Sequence, residues 1–151
     1  MHAAHPNAQV VLQGFRAFAE GDLATVKELF HDDATWHSSG RNRFSGDYQG
    51  LDAIMRLFTE LSAAARIDNQ PHAVLADEYH VIVLINGRYS RPGASVESQS
   101  VFVFHLRDAK VAEVWVMFAD PYAVDDFWGR VVDLTAEDQA DSYATDPTLR
   151  P

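Results

Sequence analysis

Between Pro71 and Ala119 the chain repeats one texture four times, and that repetition limits the folds open to it. The segments PHAVLA (71–76), YHVIVLINGRY (79–89), VESQSVFVFHL (96–106) and VAEVWVMFA (111–119) are dense in Val, Ile and aromatic residues, which favour extended backbone. Asp77–Glu78, Arg91–Pro92–Gly93 and Arg107–Asp108 punctuate them with turn chemistry. Connections this short leave no room for a crossover, so neighbouring segments are predicted to pair antiparallel.

The first half has a helical period instead. Val11, Phe15 and Phe18 fall at i, i+4 and i+7, one face of a helix. Gly21 is placed to stop it, and Asp22 to cap a short second helix with Leu23, Val26, Leu29 and Phe30 on its apolar face. Ala34–His37 reads as a brief strand, residues 38–50 as a loop, and Leu51–Ala64 as a third helix with Leu51, Ile54, Met55, Phe58 and Leu61 as its buried stripe. Helices segregated from an antiparallel sheet give an α+β fold. Three N-terminal helices on one curved sheet give a cone with an open end, a favoured place for a ligand. At 151 residues the chain is predicted to be one domain, residues 1–132, followed by an acidic tail, 133–151.

Composition removes several function classes. The net charge of −10 argues against nucleic acid and against anionic membrane surfaces, both of which attract basic proteins. No cysteine is present, so disulfides, thiol catalysis and thiolate metal sites are excluded. No stretch has signal-peptide or membrane-span character, and a soluble, cytoplasmic protein is expected.

Asp120 is the most suggestive carboxylate. Counting back by two gives Phe118, Val116, Val114 and Ala112, an apolar face; if that face lines the cone, Asp120 points to its mouth. Burial there raises a carboxyl towards the range of a useful general base. The alternative is a residue that starts the loop before Pro121 or caps the next segment. Asp125 and Asp126 read as surface residues. His37 offers a proton relay, although alternation puts Trp36 on the inner face and His37 on the outer one. Arg88 and Tyr89 are adjacent, so only one faces the interior, and Gln99 and Ser100 pose the same choice. His72, His80 and His105 lack the spacing of a metal-ligand set, and no metal or other cofactor is expected. Arg41, Arg43 and Phe44 sit in the loop, where they either grip a ligand or stay solvated. Phe15, Phe18, Trp36, Tyr48, Phe58, Arg88, Phe102, Val116, Phe118 and Tyr122 are the candidate contacts for a small apolar molecule. Val101, Val103 and Trp115 fall on the opposite face, which predicts a homodimer through the outer side of the sheet.

The pieces FAEGDLATVKELFHDDATWHSSG, FSGDYQGLDAIMRLF, HAVLADEYHVIVL, SVFVFHLRDAKVAEVWVMFAD and DDFWG, in this order, resemble the SnoaL-like polyketide cyclases. These belong to the nuclear transport factor 2-like superfamily, with ketosteroid isomerase and limonene epoxide hydrolase. The resemblance spans roughly Val10 to Gly129. It implies a cone-shaped α+β domain, usually dimeric, and puts Asp120 where the cyclases carry their general base. The isomerase's two carboxylate places hold Ser38 and Phe102 here, which argues against that reaction. Asp120 and Arg88 supply two members of the epoxide hydrolase's Asp–Arg–Asp set, with no second Asp placed inward. Two readings follow. One is a cofactor-free cyclase, isomerase or hydratase acting on a small apolar or polycyclic substrate with Asp120 as base. The other is a non-catalytic ligand-binding or dimerisation module.

Overall fold

The computed structural model describes residues 5–131; the acidic tail lies outside the described residues. Helix α1 (Pro6–Ala19) starts where Pro6 presets the helical φ and the His5 ring accepts from the Asn7 N–H at 3.1 Å. Gly21, at φ 74°, turns the chain. Asp22 then caps α2 (Leu23–Glu28), accepting from the Thr25 N–H at 3.1 Å. The second helix is shorter than its apolar spacing suggested. Phe30 opens strand β1 (Phe30–Ser38) and pairs with Val111, so tertiary pairing overrides the helical period there.

Strand β2 (Gly46–Gln49) folds back on β1 from within the stretch predicted to be a loop. It is a polar edge strand with no buried face, so hydrophobic alternation could not announce it. Helix α3 (Leu51–Ala64) matches its predicted span and buries Leu51, Ile54, Leu57 and Phe58. Strand β3 (Arg66–Ala76) begins five residues earlier than predicted (Arg66 against Pro71), again through a polar edge segment. Strands β4 (His80–Arg91), β5 (Ala94–Arg107) and β6 (Lys110–Phe118) follow, and helix α4 (Pro121–Trp128) closes the described chain.

The sheet has six strands in the order β2-β1-β6-β5-β4-β3. Every neighbouring pair is antiparallel except β1 with β6. That parallel pair brings the first strand beside the last and curves the sheet round the helices. The inner face carries Val81, Val83, Ile85 and Tyr89 from β4, Phe102, Phe104 and Leu106 from β5, and Val114 and Val116 from β6, all buried. The result is the expected α+β cone with an open sheet. No described helix is long and apolar enough to cross a membrane.

Candidate functional site

Helices and inner sheet face do not fill the cone; they enclose a cavity of about 120 Å³. Val11, Gly14, Phe15 and Phe18 of α1 form one wall, and Phe58 and Leu61 of α3 another. The sheet adds Phe30, Trp36, Phe102, Phe104, Val116 and Phe118. The rings pack edge to face or tilted: Trp36 to Phe58 with centroids 4.9 Å apart, Phe15 to Phe102 at 5.4 Å, Phe18 to Phe58 at 5.6 Å. Such packing fixes the wall geometry more firmly than aliphatic side chains would.

Of the contacts expected from the sequence, Phe15, Phe18, Trp36, Phe58, Phe102, Val116 and Phe118 line this cavity. Tyr48, Arg88 and Tyr122 do not. Tyr48 turns its hydroxyl to the Phe44 carbonyl at 2.9 Å. Arg88 is exposed on the outer face, 3.8 Å from Glu97. Its neighbour Tyr89 takes the inner position, as alternation from Val81, Val83 and Ile85 requires. Tyr122 projects from α4 into solvent, 75% exposed. Of the second pair left open, Ser100 faces in and Gln99 out.

Of the two roles expected for Asp120, the structure gives it the capping one. Strand β6 ends at Phe118, so the two-residue count no longer holds at position 120. Asp120 instead caps α4, accepting from the Ala123 N–H at 3.1 Å, and its side chain is exposed. It is not among the residues that line the cavity, and it is not buried. Asp125, expected at the surface, is the buried carboxylate. It accepts from the Arg41 N–H and from Asn42 Nδ2, each at 2.9 Å. These bonds clamp the loop carrying Phe44 to α4, and Phe44 meets Trp128 edge to face at 4.9 Å beside the cavity.

His37 lies on the outer face. Its Nδ1 is 2.7 Å from Asp47 and its Nε2 2.6 Å from Glu113, and its ring stacks on Trp115. The hydrogen bonds to Asp47 and Glu113 raise its pKa above the usual histidine value. This arrangement ties edge strand β2 to β6 and stands apart from the cavity. His80 and His105 stack on each other further along the same face, and His72 is exposed on β3. Arg43 lies over the Phe44 ring at 4.6 Å and is exposed, as is Arg41.

The polar lining is sparse: Ser38, Asn42, Asn69 and Tyr89. Asn42 is already engaged, since it donates to Asp125 and accepts from the Phe44 N–H at 2.9 Å. Tyr89 donates to Asn69 Oδ1 across 3.4 Å, a long bond. Burial pushes the Tyr89 phenol up to about 12, so it stays a neutral donor through the physiological range. No Asp, Glu, His, Lys or Arg is among the lining residues.

Residues 11–114 match the family model described as SnoaL-like domain. The chain belongs to this family. The SnoaL-like domain is similar to Bal32a, encoded in a soil-derived mobile gene cassette, at 31% identity and a TM-score of 0.80. That likeness covers 85% of this chain and all of the other. It is 27% identical over 124 residues to an uncharacterised protein of Mycobacterium tuberculosis, 79% of this chain and 93% of that one. A putative polyketide cyclase from Sinorhizobium meliloti shares the fold. Its TM-score is 0.62 at 23% identity, over 72% of this chain and 94% of the other. In the SnoaL-like domain described here the residues legible as cavity wall were the aromatics at helical or strand spacing. Tyr89 was legible only as one of two choices, and Asn69 carried no sequence signal because it sits in the polar half of β3.

Proposed function

We propose that this SnoaL-like domain binds a small, uncharged, ring-shaped molecule in its cavity. The observation that carries the reading is the lining: aromatic and aliphatic side chains with four polar residues and no charged one. A formal charge placed there would lose its hydration with no counter-charge to compensate. Size narrows the ligand further. An apolar cavity of about 150 Å³ accepts benzene, and this one, about 120 Å³, is of similar size, which limits the ligand to about one ring. A polycyclic ligand would require the Phe44–Trp128 side to open.

Proton transfer by a carboxylate, the cyclase-type reading, is the weaker one. Asp120 caps a helix outside the cavity, and no carboxylate or imidazole is among the lining residues. Titrating a Trp115→Phe variant with toluene and with benzoate tests the proposal, because its remaining tryptophans, Trp36 and Trp128, both line the cavity. A saturable fluorescence change with toluene and none with benzoate is the expected result. No saturable change with toluene, or an equal response to benzoate, refutes it. Val101, Val103 and Trp115 remain half-buried on the outer face and Met117 is exposed there. We propose that a second copy of the chain covers this face; a strict monomer in sedimentation at micromolar concentration would overturn that.

A further inference from the structure

We propose that Tyr89 and Asn69 form a polar anchor that selects, among the rings the cavity admits, those carrying a neutral oxygen acceptor such as a carbonyl. The inference rests on the binding proposed above and adds which ligand is preferred. Both residues line the cavity, and they come from neighbouring strands β4 and β3. Their mutual bond is 3.4 Å long, close to the limit of a useful hydrogen bond, so the phenol loses little by turning its O–H to a ligand. The Asn69 amide adds two further N–H donors on the same wall. A carbonyl oxygen has two lone pairs and accepts from both residues at once.

The backbone beneath the pair fits this role. Gly87, opposite Asn69 in the ladder, occupies an inward position two residues before Tyr89. A Cβ built there would stand 3.1 Å from Asn69 Oδ1 and 3.3 Å from Tyr89 Oη. It would also stand 3.3 Å from the Ser98 carbonyl. The missing side chain therefore leaves the space in which phenol and amide converge. A glycine within a strand weakens the strand, and it is commonly found where something else must approach closely. The wall around the anchor is otherwise apolar. An oxygen acceptor on the ligand is satisfied here, while a hydrocarbon leaves the Asn69 N–H groups facing a dry surface and the phenol with only its long bond to Asn69.

Affinities for two matched probes, cyclohexanone and methylcyclohexane, test the anchor. They are read from side-chain methyl NMR shifts of Val11, Val26, Val111 and Val116, all in the lining. Tyr89→Phe keeps the ring and removes one donor. It should weaken cyclohexanone about 5- to 10-fold, the range of one neutral hydrogen bond, and leave methylcyclohexane within about twofold. Asn69→Ala, on the edge strand, should give the same pattern and keeps the test valid if the first variant folds poorly. Equal changes for both probes, or no change for either, overturn the anchor while leaving cavity binding intact. If neither probe shifts the methyls of the unaltered protein, the binding proposal itself falls, and the anchor with it.

Discussion

Gly14 separates two effects that usually travel together. It lies in the interior of α1 with helical backbone and forms part of the cavity wall. A Cβ added there would meet one atom, Leu29 Cδ1 at 3.4 Å, which is ordinary contact with the end of a flexible side chain. Gly14→Ala should therefore gain the full difference in helix propensity, about 0.8–1 kcal/mol, with almost no steric cost. In a domain of this size that raises the melting temperature by about 3 °C. The same methyl projects into a cavity of only about 120 Å³ and takes space from the ligand. The variant should be more stable and bind toluene several-fold more weakly. Thermal melts and the fluorescence titration, run on one preparation, measure both. A fall in stability would mean that α1 packs closer to Leu29 than described. A gain in stability with unchanged toluene affinity would place the ligand elsewhere.

Asp120→Ala removes the α4 cap and should cost about 1 kcal/mol of stability while leaving probe affinity unchanged; a large loss of binding would return Asp120 to the site. His37, with its pKa raised by two carboxylate partners, binds a proton more tightly folded than unfolded. Its stabilising contribution is thus complete below the unfolded value near 6.5 and fades as pH rises through the higher folded value. His37→Gln should flatten the stability profile above pH 6.5 by roughly 0.5–1 kcal/mol, small because both partners are partly solvated, and denaturant melts across pH 6 to 9 measure it. Asp108 and Ala109 form the two-residue β5–β6 turn with φ of 53° and 61°. Ala109→Gly should relieve about 1 kcal/mol of left-handed strain, seen as a higher urea midpoint, and a lower midpoint would contradict it.

The sequence spoke most clearly where burial and period agree. Helix α3 and the inner set Phe102, Phe104, Val114 and Val116 follow directly from spacing, because one face of each element is apolar and the other less so. Strand β4 defeats that logic. Ile82 and Leu84 face out while Val81, Val83 and Ile85 face in, so both faces read as core and the choice between Arg88 and Tyr89 stays open. Edge strand β2 and the start of β3 are mostly polar, with no fully buried residue, and leave little hydrophobic trace; in β3 only Ile67 marks the face that carries Asn69. At Asp120 the alternation of β6 no longer decides, because the strand ends at Phe118 and the residue caps α4. Asp125 is buried because its partners, Arg41 and Asn42, lie more than eighty residues away in sequence, beyond any local pattern.

What occupies the cone decides the proposed function. A crystal structure of the protein grown with toluene is the most direct test. The ring should lie among Phe15, Trp36, Phe58 and Phe102, with Asp120 still capping α4 away from it. Toluene bound only on the outer face beside Trp115, or a cone closed by its own side chains with no ring inside, would contradict it.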